Sequence, residues 1–165
     1  MHADPIPTDQ LTTSTAVLYI DGGSNSSSPT TLDPTVLQMA ASSGAIVIDL
    51  GQVPNEPISF TDETFSRSED AIIAYTWNKY LLTGDERWPA RLPMTKAAVR
   101  AMDAATAFLA SADRGGIQVK NFIVSGASKR GWTTWAGSAH PRWTRCSISK
   151  IPTATASGSP CPSTS

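Results

Sequence analysis

The chain has 165 residues, with 13 Lys and Arg against 14 Asp and Glu and a net charge of −1. That length fits one domain able to bury roughly 70% of its unfolded surface, and 40% hydrophobic residues exclude wholesale disorder. No cations are concentrated to make a nucleic-acid footprint or a polybasic membrane patch, no apolar run approaches the ~20 residues of a membrane span, and two cysteines cannot make a disulfide framework or a four-ligand zinc site.

Met1-His2-Ala3-Asp4-Pro5 has no basic region followed by an apolar stretch, so no signal peptide is read there and the localisation stays open. Residues 1–15 read as a poorly ordered start. Ala16-Val17-Leu18-Tyr19-Ile20 ends in Asp21-Gly22-Gly23, the length and punctuation of a buried strand. Ser24 to Pro29 follows as a loop. Asp33-Pro34 opens a helix as N-cap and first-turn proline, and the helix stops near Gly44. Ala45 to Leu50 is a second apolar run without alternation, as expected of a parallel sheet covered on both faces. Val53-Pro54-Asn55-Glu56-Pro57 has to be irregular.

Ser66-Arg67-Ser68-Glu69 has capping-box spacing, and Ile73, Trp77, Tyr80 and Leu81 repeat at helical intervals behind it. Met94, Ala97, Ala98, Ala101, Ala105, Phe108, Leu109 and Ala112 keep helical spacing for five turns up to Gly115-Gly116. The alanines predict a helix packed close to a sheet. Val119 to Val124 reads as a third strand, and Gly126 to Ala139 as a returning helix. This order predicts an α/β fold: a three-layer sandwich with a parallel sheet of at least three strands, right-handed crossovers and helices on both faces.

Beyond Trp143 the texture changes. Of the 22 residues from Thr144 to Ser165, 14 are Ser, Thr, Pro or Gly, with no aromatic residue and no carboxylate. A disordered tail is expected over 144–165, with Cys146 and Cys161 as accessible thiols.

The chemistry is concentrated in Phe122 to Trp132, where an apolar strand runs into Gly126-Ala127-Ser128 and a helix begins at once. A serine on such a turn stands at the carboxyl edge of the sheet, where open α/β proteins place ligands. The backbone N–H of Lys129 and the helix N-terminus face negative charge developing beside Ser128, which suits acyl transfer through an oxyanion. Gly22-Gly23-Ser24, after an earlier strand, occupies the place of the second donor, making Gly23 and Ser24 the oxyanion loop. The usual elbow is G-x-S-x-G; here Arg130 takes the second small position and glycine is delayed to Gly131. A competing reading makes Ser128 the helix cap of an ordinary tight turn. A dinucleotide-binding turn of the short-chain dehydrogenase type needs later glycines where Arg130 and Trp132 stand, and a phosphate loop needs a Gly-Lys-Ser/Thr that is absent. No metal or cofactor is implied.

Asp21-Gly22-Gly23-Ser24-Asn25, Gln52 to Pro57, Thr83-Gly84-Asp85-Glu86-Arg87-Trp88, Leu92 to Lys96 with Ala101-Met102-Asp103, and Gly126 to Trp132 recur in order in a known family. Across about Ala16 to Trp143 the chain resembles the PhoPQ-activated pathogenicity-related proteins. That family is similar to α/β-hydrolases and carries arginine at the same place in its Gly-Ala-Ser-Lys-Arg-Gly-Trp segment. The resemblance therefore implies Ser128 as nucleophile and 16–143 as a partial α/β-hydrolase-like domain; it does not reveal a substrate.

A Ser–His–acid relay needs an imidazole and a carboxylate, in hydrolases ordered Ser, acid, His. No Asp or Glu follows Ser128, and the only later histidine is His140. On a continuous helix it would stand roughly 18 Å away, and His2 lies in the N-terminal segment. Asp21 and Asp49 end strands and are expected to cap nearby backbone; Asp103 and Asp113 are expected in solvent, and Trp77, Trp88, Trp132 and Trp135 in the core. Family members continue past the elbow helix with a strand, the acid and the histidine. The expectation is therefore a truncated or frame-shifted hydrolase, clipped before Ala16, poorly active or reduced to a non-catalytic remnant that self-associates through an unpaired sheet edge.

Overall fold

The computed structural model describes residues 14–26, 32–114, 116–136 and 143–147. In chain order the elements are β1 (Thr15–Ile20), α1 (Pro34–Ser43), β2 (Ile46–Leu50), β3 (Ile58–Ser59), β4 (Ser66–Arg67), α2 (Asp70–Thr83), α3 (Arg91–Ala110), β5 (Asn121–Gly126), α4 (Lys129–Ala136) and β6 (Trp143–Ser147). Four strands make one sheet in the order β2-β1-β5-β6, every pair parallel; β3 and β4 form a separate two-residue antiparallel ladder.

The order is that of a doubly wound sheet. From β1 the chain crosses by α1 to β2 on one side, then returns past β1 through α2 and α3 to β5 on the other. Right-handed crossovers in opposite directions put α1 on one face and α3 with α4 on the other. The packing agrees: α1 contacts β2, α3 contacts β1 and β2, and α4 contacts both β5 and α3.

Parallel register and the two-residue period sort the side chains by face. Ala16, Leu18 and Ile20 pair with Ile46, Ile48 and Leu50 on one side and with Phe122, Val124 and Gly126 on the other. Together with Met94, Ala98, Met102 and Leu109 of α3 they make the core. The alanine-rich face of α3 lets this helix lie close to the strands, as its spacing predicts. The opposite face, carrying Val17, Tyr19, Val47 and Asp49, is only partly covered, and α1 buries just Val36 there.

Local signals explain most boundaries. Asp33 caps α1 by accepting the Thr35 N–H at 2.6 Å, Pro34 is its first residue, and Gly44 ends it in the left-handed region at φ +60°. Gly84 ends α2 the same way at φ +69°.

Four expectations need correction. The third strand lies at 121–126, two residues later than read, because Thr15 pairs with Asn121 and Ile20 with Gly126. The long helix stops at Ala110, where the Ser111 hydroxyl turns back to the Phe108 carbonyl at 2.6 Å, and Ala112 falls in a separate 3-10 turn. There is no capping box at Ser66–Glu69: Ser66 belongs to β4, and Glu69 is the N-cap without a side-chain cap bond. Its N–H is instead accepted by the Glu56 carboxylate at 2.8 Å. Finally, α2 buries Ile72, Tyr75 and Thr76, leaving Trp77 and Leu81 exposed, so its inner face is rotated by one residue from that expected.

Beside β5, β6 runs from Trp143 to Ser147, so a strand begins where the expected tail boundary falls. Residues 1–13 and 148–165, with His2 and Cys161, lie outside the described residues, as do His140 and Gly115. Among the described residues no helix is long and apolar enough to cross a membrane.

Candidate functional site

The chain leaves β1 toward β2 and returns to β5 on the opposite side, so the carboxyl ends of β1 and β5 flank the topological switch point of the sheet. Open α/β sheets bind ligands in the crevice formed there. Three loops emerge at this edge: 21–25 after β1, 51–57 after β2, and 127–128 after β5.

The β5–α4 turn is tight for a steric reason. A Cβ on Gly126 would lie 3.0 Å from the carbonyl carbon and oxygen of Arg130, so any other residue would push the strand and the first turn of the helix apart. Ala127 and Ser128 carbonyls accept the N–H groups of Arg130 and Gly131 at 3.0 and 3.1 Å. Ser128 stands at the apex, exposed, with φ at +53°. A non-glycine residue in the left-handed region costs roughly 1–2 kcal/mol, and such strain gathers at functional turns. Lys129 is the first residue of α4, so its N–H is among the donors that have no partner within the helix.

Arg130 explains the delayed glycine. Its side chain is 9% exposed and turns away from the helix, under the loops. Nε donates to the Val53 carbonyl at 2.9 Å, and Nη1 reaches both Glu69 carboxylate oxygens at 3.0 and 3.1 Å. Glu56 lies 4.0 Å from Nη2, close in charge but without a hydrogen bond. A Cβ on Gly22 would come within 2.6 Å of Nη2. One guanidinium therefore touches the loop after β1, the loop after β2 and the start of α2.

The other contacts lock the same loops together. Gln52 N–H donates to the Gly22 carbonyl at 2.8 Å and its Nε2 to the Ser24 carbonyl at 3.1 Å. Asn25 donates from its backbone to Glu56 at 2.6 Å and from its side chain to the Pro57 carbonyl at 2.8 Å. Gly23 sits at φ +149° with the Gln52 Cγ 3.0 Å from where a Cβ would be. Pro54 and Pro57 follow cis peptide bonds within this loop.

Charge at the site is organised around Glu69. Burial pushes its carboxyl up, but the hydrogen bonds from Lys129 and Arg130 outweigh this and hold it at about 2. Lys129 Nζ lies 2.9 Å from Glu69 and 3.3 Å from Asp70, and the Glu69 hydrogen bond raises the ammonium above its usual range. A lysine held so firmly in its charged form cannot serve as a base. Glu69 itself has φ +55° and ψ −125°, a strained backbone held by Glu56 on its N–H and two cations on its carboxylate.

The expected site residues thus meet at one edge. Ser128 and Lys129 lie on the β5–α4 turn, while Gly23 and Ser24 are in the loop after β1, the neighbouring strand. The Ser24 hydroxyl shares a 2.8 Å hydrogen bond with Ser26. Asp21 accepts the Gly22 N–H at 2.7 Å, the local role expected of it. Asp49 leaves Oδ1 buried without a hydrogen bond; burial first, then Asp21, push its carboxyl up. Asp103 and Asp113 pair with Arg100 and Arg114.

Trp132 corrects its expectation of a core position: it is 56% exposed, and the Arg91 guanidinium lies over its ring 3.4 Å from the centroid. Trp88 packs instead with Phe60 and Tyr75. The residues missed by motif reading are Gln52 and Glu56, whose signal was only that their segment carries the resemblance, and Glu69, read only as the end of a capping box. Among the described residues no group of three His, Cys, Asp or Glu is placed to hold a metal.

A family model described as PhoPQ-activated pathogenicity-related protein matches residues 5–143, beginning before the expected start at Ala16. The chain is 46% identical over 136 residues to the autocrine proliferation repressor protein A of Dictyostelium discoideum. That alignment covers 80% of this chain and 27% of the relative, so the chain spans about a quarter of that relative's length. No solved structure matches it.

Proposed function

Because the chain belongs to the PhoPQ-activated pathogenicity-related protein family, we propose that its β5–α4 turn is the nucleophile turn of a serine-type α/β-hydrolase. Ser128 attacks an ester or amide carbonyl, and the Lys129 N–H with the Gly23–Ser24 loop faces the oxyanion. Residues 16–143 are then the hydrolase-like portion. The observation that carries this reading is the exposed Ser128 at φ +53°, on a strand-to-helix turn so close that a Cβ at 126 would crowd the Arg130 backbone. An ordinary helix cap needs neither the strain nor the crevice.

No carboxylate follows Ser128 in this chain, so a relay in hydrolase order has no acid within it. Removing triad members costs several orders of magnitude in rate, while oxyanion stabilisation and binding leave a residue of activity. This chain is therefore expected to acylate slowly rather than turn over. Incubation with a fluorophosphonate probe tests it: slow, saturable labelling at one site is expected, lost in Ser128→Ala and retained in Ser26→Ala. Labelling indifferent to Ser128 overturns the reading.

The second reading is a non-catalytic interaction module. It is favoured by the name of the Dictyostelium relative, autocrine proliferation repressor, which describes no hydrolytic reaction. Complete absence of labelling in the folded chain is its expected result.

A further inference from the structure

Arg67, Arg87, Arg100, Arg114 and Arg130 each have a carboxylate within 4.0 Å. Arg91 has none among the described residues. It lies in the first turn of α3, where the helix dipole disfavours a cation. Its guanidinium is partly buried, and that desolvation lowers its affinity for the proton. Its Cζ lies 3.4 Å from the centroid of an indole ring, a contact that satisfies none of the guanidinium N–H donors with an acceptor oxygen.

The ring is that of Trp132, one helical turn after Ser128 on α4. Helical side chains lean toward the helix N-terminus, and four residues of rise span only about 6 Å. The unpaired guanidinium is thereby stationed beside the nucleophile turn. Lys129, the nearest other cation in sequence, is already neutralised by Glu69 and Asp70. One guanidinium matches a monoanion, and its planar fork matches a carboxylate.

We propose that Arg91, held over the ring of Trp132, is an anion-recognition site for a carboxylate carried by the substrate that Ser128 attacks. This rests on the hydrolase reading and narrows it to esters or amides bearing a free carboxylate a few bonds from the scissile carbonyl. Arg91 binds and orients; it takes no part in bond making.

Binding of monomethyl succinate, with the neutral dimethyl succinate as control, is measured by calorimetry on the full chain. The monoanion should bind the wild type, and Arg91→Gln should weaken it by about tenfold or more. Arg91→Lys, keeping charge without the fork, should fall between the two. Ser128→Ala should leave binding unchanged, so a chain that binds the monoanion but never labels fails the hydrolase reading and not this one. Arg91→Gln loses its contact with Trp132 but no ion pair among the described residues, so its melting midpoint should fall by no more than a few degrees. Equal binding of the dimethyl ester, or Arg91→Gln binding like the wild type, overturns the proposal.

Discussion

Two arginines hold carboxylates in different surroundings. Arg87 grips Asp85 through three hydrogen bonds of 2.7–3.1 Å, yet its side chain is 90% exposed. Arg130 makes longer bonds to Glu69, but it is 9% exposed and also holds the Val53 carbonyl. Distance alone would rank the surface pair first. Burial reverses the ranking, because water replaces a lost partner at Arg87 and cannot do so under the loops. The difference also has a direction: Asp85 and Arg87 are neighbours in sequence, whereas Arg130 ties together segments 61 and 77 residues away.

Removing Arg130 should break this contrast most sharply. Arg130→Ala removes a buried cation from the Val53 carbonyl and from a Glu69 that is 41% exposed and keeps Lys129, at a cost of about 2 kcal/mol. Urea unfolding checks it, and a loss below about 1 kcal/mol would place the pair with the surface ones. Gly126→Ala drives a methyl against the Arg130 backbone and should cost about 1–3 kcal/mol while slowing labelling of Ser128.

Ser128→Gly acts in the other sense. It relieves a left-handed residue, partly offset by the added freedom of the unfolded chain, for a net gain of about 0.5–1 kcal/mol with labelling abolished. A destabilised Ser128→Gly would mean the turn is unstrained.

Acid sharpens the comparison through Glu69. Its folded value, about 2, lies below the ordinary 4.5, so its contribution is complete above pH 4.5 and is lost as pH falls toward 2. The stability gap between wild type and Glu69→Gln should therefore narrow between pH 5 and pH 2, followed by urea unfolding. The smallest effect belongs to Arg87→Ala, within about 0.5 kcal/mol, and it should shrink further in high salt.

Most of the framework was legible in the sequence because it rests on local signals: apolar runs, Asp33-Pro34, Gly44, Gly84 and the alanine spacing of α3. The errors fall where a distant partner overrides the local one. Glu69 looks like the closing residue of a capping box, but two cations from α4 take its carboxylate, and Glu56 supplies the backbone acceptor. Trp77 and Leu81 share a helical spacing with core residues yet face outward, since periodicity cannot say which side another element covers. At the site, Ser128 could be read from its strand–glycine–helix context. Arg130 looked only like a misplaced residue in a motif, because its role is visible once three loops are folded over it.

The strand order carries a consequence for how the protein is made. Thr15 pairs with Asn121, so β1 waits for a neighbour roughly 100 residues later. At ribosomal speeds of about 5–20 residues per second that interval lasts roughly 5–20 seconds. Through it, β1 can join β2 but keeps one edge open. The chain therefore emerges with the central strand β1 half-sheltered, and this interval is when a nascent-chain holdase would have the most to do.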